Sequence, residues 1–315
     1  MNHKPKTLMK KNLVGTLLVA ANVAAFCVSA HADTGKLLLT SGVSSVDGAA
    51  GGGLTPWAVI GSNATDGEIG ASAFASRLGT KDYGLNIFGA AVGFHDRYEL
   101  SIAQQDLDTR GTGNALGVPG LHLKQTIIGA KVRVAGDAIL DSDILMPQIA
   151  VGLQYKTLGS TGLDTTLAAL GAKRSGVDVY VSATKLFLSS GVLVNGTLRA
   201  TKANQNGLLG YGAMLGGNEN RYSLHPEMSI AYLVSKNIVV GAEYRFMRNK
   251  LEQAGAAAGL GNGLRSEDYK DIFIAWAPSK NVSLTLAYVD LGVIVPATTS
   301  SRKQQGVYVS AQLAF

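Results

Sequence analysis

Val307-Tyr308-Val309-Ser310-Ala311-Gln312-Leu313-Ala314-Phe315 is the stretch on which the fold turns. Val307, Val309, Ala311, Leu313 and Phe315 share one parity, and Tyr308, Ser310, Gln312 and Ala314 share the other. Side chains along a strand alternate between its two faces, so this segment is greasy on one side and small or polar on the other. In a soluble sandwich the greasy side would meet a second sheet. Here the alternation runs on to a terminal aromatic.

The other end of the chain reads as an export leader. Lys4, Lys6, Lys10 and Lys11 form a basic start, Leu13 to Val28 is an apolar stretch, and Ala30-His31-Ala32 predicts cleavage after Ala32. The apolar stretch falls short of the roughly 20 residues of a spanning helix. Cys27, the one cysteine, leaves with the leader, and Phe26 before it is too bulky for a lipoprotein signal. The mature chain is thus expected to lack disulfides, thiol nucleophiles and cysteine metal sites. With a leader in place, the alternating ending resembles the C-terminal assembly signal of Gram-negative outer-membrane barrels. That resemblance implies a bacterial outer-membrane location, with outer-membrane lipids and the barrel assembly machinery as partners.

Composition narrows the function classes. The whole chain has 28 basic and 22 acidic residues; without the four leader lysines it has 24 and 22, a net charge of +2. The basic character therefore belongs largely to the leader. No basic stripe interleaved with aromatics is present, so nucleic-acid binding has no support. Glycine is abundant and proline scarce (39 against 7), which suits tilted strands with small lumen-facing residues.

The connections order the rest. His95-Asp96-Arg97, Leu188-Ser189-Ser190-Gly191, Ser235-Lys236-Asn237 and Pro278-Ser279-Lys280-Asn281 are short, whereas 108–120, 159–176, 203–222, 249–269 and 294–304 are long and polar. Short and long alternate, with a medium connection at 136–145, as expected of a transmembrane antiparallel up-and-down β-barrel. Strands are predicted at 68–77, 84–94, 97–107, 121–134, 147–158, 177–187, 192–202, 223–234, 238–248, 270–277, 282–291 and 305–315. The fold class is all-β, with about twelve strands and ten or fourteen as alternatives. Tyr98, Tyr155, Tyr244, Trp276 and Tyr288 fall on apolar faces near strand ends, where an aromatic girdle belongs. Two strands read poorly. Parity puts Lys185 among lipid-facing residues, which asks for a bulge or a snorkelling side chain. In 84–94 both faces are apolar or glycine, so Phe88, Val92 and Phe94 fit either side, and a partly filled lumen would explain this.

Residues 33–67 stand outside the meander. Lys36-Leu37-Leu38-Leu39 leads to Gly48-Ala49-Ala50-Gly51-Gly52-Gly53 and then to Leu54-Thr55-Pro56-Trp57-Ala58-Val59-Ile60-Gly61. Three readings stay open: a plug inside the barrel 68–315, an added hairpin, or a periplasmic tail. Gly35 to Thr40, Gly51 to Ala58, and the run Tyr83-Gly84-Leu85 through Gly89-Ala90-Ala91-Val92-Gly93 resemble a domain-of-unknown-function family of Gram-negative outer-membrane proteins. The resemblance covers the mature chain and implies a barrel. It supplies no activity, substrate or cofactor.

Motifs for chemistry are thin. The mature chain has three histidines, His95, His122 and His225. Gly42-Val43-Ser44-Ser45-Val46 fails the nucleophile-elbow pattern at its last position, and the glycine run lacks a following Gly-Lys-Ser/Thr. Asp106 and Asp108, or Asp141 and Asp143, lack calcium-loop spacing. No catalytic, metal or cofactor site is expected. A lipid-modifying enzyme, which would need a Ser–His pair on neighbouring strands, is the lesser alternative.

The polar lumen set says more. Parity turns Glu99, Lys131, Arg133, Gln154, Lys156, Asp178, Asn195, Arg199, Glu227, Glu243 and Arg245 inward. Charges at membrane depth persist only where they are watered or paired. Two outcomes are open: walls of a narrow pore for small polar or charged solutes, or a salt-bridge network that closes the barrel. The first is favoured, with Lys131, Arg133, Arg199 and Arg245 facing Glu99 and Glu243 and drawing anionic groups. In that pore, losing Arg199 and Arg245 would shift selectivity toward cations. A closed barrel acting through its outer loops is the other reading.

Overall fold

A computed structural model describes Lys36, Leu39 and residues 41–136, 145–159 and 162–315. The leader 1–32 with its cleavage point, and the Asp141/Asp143 pair, lie outside the described residues. Two two-residue strands, β1 (Val43–Ser44) and β2 (Ala50–Gly51), pair with each other and with no strand of the barrel. Twelve further strands follow: β3 (Ile69–Thr80), β4 (Gly84–Phe94), β5 (Tyr98–Asp108), β6 (His122–Ala135), β7 (Gln148–Leu158), β8 (Ser175–Phe187), β9 (Val192–Thr201), β10 (Ser223–Ser235), β11 (Ile238–Arg245), β12 (Tyr269–Ser279), β13 (Val282–Val293) and β14 (Lys303–Ala314). Each pairs antiparallel with its neighbours in sequence, and β14 pairs back onto β3, so the sheet closes without an edge. At membrane depth closure is obligatory, because an open edge would leave backbone groups unpaired in hydrocarbon. The fourteen-strand alternative is not taken, since β1 and β2 remain outside the barrel.

The strands run from 8 to 14 residues, around the ~9–11 needed by a tilted spanning strand. Alternation decides which way they face. Leu100, Ile102, Leu153, Ile272, Leu286 and Val307 are exposed outward, while their neighbours Ser101, Gln154, Phe273, Ala287 and Tyr308 are buried inward. The C-terminal strand obeys the same rule, and its last residue ties the seam: the Phe315 N–H donates to Ala71 O at 2.8 Å, and the Ala71 N–H donates back at 3.0 Å. Short helices stand in four of the long connections: α1 (Arg110–Ala115), α2 (Asp164–Ala169), α3 (Leu251–Ala257) and α4 (Pro296–Thr299). A 3-10 turn at Gln205–Gly207 sits in the fifth.

The two doubtful strands resolve simply. Pairing through Lys185↔Val194 continues without a register shift, so no bulge forms there. Lys185 keeps its outward parity, half-buried beside the end of β8, where a long stem reaches the interface. Register shifts occur instead at Arg133/Ala135, Leu233/Ser235, Trp276/Ser279 and Asp290/Val293. In β4, Phe88 is exposed outward while Ile87 and Ala91 are buried inward. The inner side is glycine-rich because it is occupied: a Cβ on Gly93 would lie 2.6 Å from Ser62 Oγ and 2.9 Å from Ile60 Cγ2.

Candidate functional site

The inward wall is divided by chemistry. From β5 to β11 it carries Glu99, Lys131, Lys156, Asp178, Arg199, Glu227, Glu243 and Arg245, whereas β3, β4, β12, β13 and β14 turn in Phe74, Leu78, Ile87, Phe273, Val289 and Tyr308. Residues 41–67 lie against both. Ten of the eleven residues expected to face inward are 4 % exposed or less; Arg133 is half-buried.

Three clusters account for them. In the first, Glu99 accepts the Ala50 N–H at 3.1 Å and the Gly61 N–H at 2.7 Å. Lys131 pairs with Glu99 at 3.1 Å and donates to the carbonyls of Ala50 and Trp57. Near the short-turn end, Asp96 pairs with both Lys36 and Arg133. In the second, Glu243 accepts the Leu54 N–H at 2.7 Å, the Thr55 N–H at 3.2 Å and the Thr55 hydroxyl at 2.6 Å. The glycine run makes this approach possible, since a Cβ on Gly52 would stand 2.4 Å from Glu243 Oε1. Close by, Pro56 O accepts from Ser182, Asn195 and Thr197, and Trp57 Nε1 donates to Ser229 at 3.0 Å.

The third cluster is ionic. The wall brings three cations, Lys156, Arg199 and Arg245, and two carboxylates, Asp178 and Glu227. Asp47 supplies the third carboxylate and faces all three cations, at 3.3 Å from Lys156, 3.7 Å from Arg199 and 3.0 Å from Arg245. Burial pushes the Asp47 carboxyl up, but Arg245, Lys156 and Arg199 together hold it well below the usual carboxylate range. Asn206 braces the group: its Nδ2 donates to Asp47 at 2.7 Å, and its Oδ1 accepts from Lys156 at 2.7 Å and from Arg245 at 2.9 Å. Arg199 is held further by Gln154 at 2.7 Å and by stacking on Tyr180 at 5.3 Å. Strand parity brings forward every wall member and misses Asp47 and Asn206, which lie outside strands. One signal points to Asp47: it is the only charged residue between Lys36 and Asp66.

The remaining candidates are placed as follows. Tyr98, Tyr155, Trp276 and Tyr288 are exposed on the outer face, and Tyr244 is half-buried with its hydroxyl on the Asp268 carboxylate. Val307, Val309, Ala311, Leu313 and Phe315 share the outward parity of β14 and its end. Of the histidines, His122 meets Asp106 at 2.6 Å on the surface, and His225 Nε2 lies 3.0 Å from Ser223 Oγ. That last pair is on one strand with His225 turned into the lumen, and among the described residues no carboxylate hydrogen-bonds its other nitrogen. It therefore lacks the orienting third member of a hydrolase triad. Among the described residues no group of three or more His, Cys, Asp or Glu is placed to hold a metal ion.

A family model described as a protein of unknown function (DUF3034) matches residues 40–312. No curated protein matches in sequence. Among solved structures the chain is similar to the KdgM porin, at 10% identity over 78% of this chain and 99% of that one, with a TM-score of 0.47. It is also similar to the COG4313 outer membrane channel from Pseudomonas putida F1, at 12% identity over 81% and 97%, with a TM-score of 0.48. Outer membrane phospholipase A from Escherichia coli gives 10% identity over 77% and 92%, with a TM-score of 0.40. At these identities the likeness is one of fold alone.

Proposed function

The chain belongs to that family of unknown function, and from this premise we propose that it is a porin-like channel of the outer membrane, closed at rest by residues 41–67 acting as a plug. Residues 1–32 are its export signal, and the long loops face outward with the short turns in the periplasm. Small solutes pass when the plug yields. The observation that carries this reading is Asp47: in the ionic cluster the wall sets three buried cations, Lys156, Arg199 and Arg245, against two carboxylates, Asp178 and Glu227, and the plug supplies the third. A buried charge without a partner is strongly disfavoured, so plug and wall are built for each other. A permanently open pore for small polar or charged solutes is the weaker reading, because the charges that would line it are spent on holding residues 41–67. The hydrolase reading is weaker still, for want of a complete triad.

Single-channel recording on the refolded mature protein tests the plug. Thr55 Oγ1 and Ser229 Oγ are 2.6 Å apart, so cysteines at both positions lie within reach of a disulfide tying plug to wall. The wild type is expected to be closed with rare discrete openings under voltage. Oxidised Thr55→Cys/Ser229→Cys is expected to be silent, with openings restored by reductant. Steady conductance that is the same in the wild type and in the oxidised variant would sink the proposal.

A further inference from the structure

On the loop side of the plug the lumen holds a cavity of about 370 Å³. Its floor is Val46 and Gly52 to Leu54, its wall is the apolar arc from β12 through β14 and β3 to β5, and its roof is built by the long loops. The roof is the unexpected part. Loops that merely shield a polar lumen have no need of leucine, yet Leu121, Leu167, Leu208, Leu251 and Leu264 all turn inward here. Tyr83, Tyr269, Phe273 and Tyr308 add aromatic faces. Of all the residues lining the space, only Arg245 and Asp271 have basic or acidic side chains. Ligand sites of about 300–1,000 Å³ with apolar walls and few polar groups are the ordinary kind for small organic molecules. Left empty, an apolar space of this size forfeits its packing.

Its polar groups are unfinished. Gln205 is 4 % exposed, and neither its Oε1 nor its Nε2 has a hydrogen-bond partner. Gln105 is fully buried and donates to Val46 O at 2.7 Å, leaving its Oε1 unpartnered. Asp271 also has one carboxylate oxygen without a partner. A buried amide left unpaired is costly and calls for a partner, and Gln205 and Gln105 both line the cavity from which one could reach them. The backbone supports this. Gln205 and Asn206 have φ of 41° and 60°, a left-handed pair costly for residues other than glycine. Asn206 is pinned there by Asp47, Lys156 and Arg245, and this pinning aims Gln205 at the cavity.

We propose that this cavity binds an uncharged aromatic molecule bearing one hydroxyl group, with the ring among the leucines and aromatics and the hydroxyl on the Gln205 amide. The charges on the wall select against an anion. Arg245, the one basic side chain lining the space, is occupied by Asp47, Glu227 and Asn206, so an anion would find no unpaired cation there. The assignment rests on the plugged-channel reading for its meaning, as the class of solute held above the closed plug, but binding is measured apart from conduction.

The test is isothermal titration of the mature protein in lipid nanodiscs with 1-naphthol, with protein-free nanodiscs subtracted. Saturable one-site binding is expected. Gln205→Leu should weaken it by roughly five- to tenfold, the worth of one neutral hydrogen bond. Leu208→Trp, which fills the space, should abolish it, and Leu121→Phe serves the same purpose should the first variant fail to fold. 1-Naphthoate should bind at least tenfold more weakly. Heat no greater than in protein-free nanodiscs, undiminished binding by a folded cavity-filling variant, or naphthoate binding as tight as naphthol would each overturn the proposal. Binding without any effect of the Thr55→Cys/Ser229→Cys tether on conductance would leave the site standing and remove the plug. Tether-dependent conductance without binding would do the reverse.

Discussion

The Asp47 carboxylate meets the Arg245 guanidinium at 3.0 Å, joining a segment that precedes the barrel to strand β11. Every other charge of this cluster comes from a spanning strand, so the pair is where residues 41–67 are electrically committed to the wall. Asp47→Ala leaves Lys156, Arg199 and Arg245 facing only Asp178 and Glu227. Removing one partner of a buried pair costs about 3–5 kcal/mol. Even the lower figure is roughly a hundredfold in the ratio of docked to released plug. Limited proteolysis of residues 41–67 in the folded protein should accelerate by about that factor, with discrete channel openings becoming frequent. Unchanged cleavage would take Asp47 out of the closing mechanism.

The same carboxylate sets a pH dependence. Its docked pKa lies below the ordinary value, so the stabilisation it gives is complete above the free value of about 3.9 and is lost as pH falls from there through the docked pKa. Closure is therefore expected to be flat from neutral pH down to about 5 and to weaken below about 4. Asp47→Asn, already lacking the charge, should lose this acid-sensitive part. Open probability recorded between pH 7 and 3 checks it, and an identical acid response in Asp47→Asn would assign the effect to other carboxylates.

How much of this was legible follows from periodicity. The barrel was, because alternation is enforced residue by residue wherever one face meets lipid and the other does not; Val307 to Phe315 carries that rule in nine positions. Strand ends were less so: β3 runs on to Thr80 and β8 begins at Ser175, since pairing with neighbours extends strands beyond their hydrophobic pattern. The inward charges were legible as a set, but not their partners. Pairing Glu99 with backbone N–H groups of Ala50 and Gly61 depends on the path of an irregular segment, and no period encodes that path. The apolar arc left a trace in β4, where both faces looked hydrophobic because the inner one packs on other protein rather than on water.

Gly93 tests the packing of the plug independently of charge. A Cβ there meets Ser62 Oγ at 2.6 Å and Ile60 Cγ2 at 2.9 Å, so Gly93→Val overfills the contact between β4 and residues 60–62. Overpacking of this kind typically costs about 1–3 kcal/mol. The barrel has no other route of relief than moving the segment, so the variant should keep its folded, heat-modifiable mobility on gels while its plug becomes protease-sensitive. Loss of barrel folding without plug release would show that β4 itself, rather than residues 60–62, takes up the strain.

Leu286 tests the outward face. It is 50 % exposed in mid-strand on β13, with Ile274 and Val309 as its cross-strand neighbours, both turned the same way. Leu286→Arg puts a cation into hydrocarbon there, at a cost of about 2–4 kcal/mol near the midplane. The neighbouring position is its control: Thr285 is buried on the inner face, between Ala275 and Ser310, and Thr285→Ser there removes one methyl group and meets no lipid. Urea unfolding of the protein refolded into bilayers should therefore show a large loss for Leu286→Arg and a small one for Thr285→Ser. Ala287→Ser, on the same inner face, should likewise be tolerated, because the face and not the strand decides the penalty. Equal losses at both parities would contradict the assignment of this face to lipid.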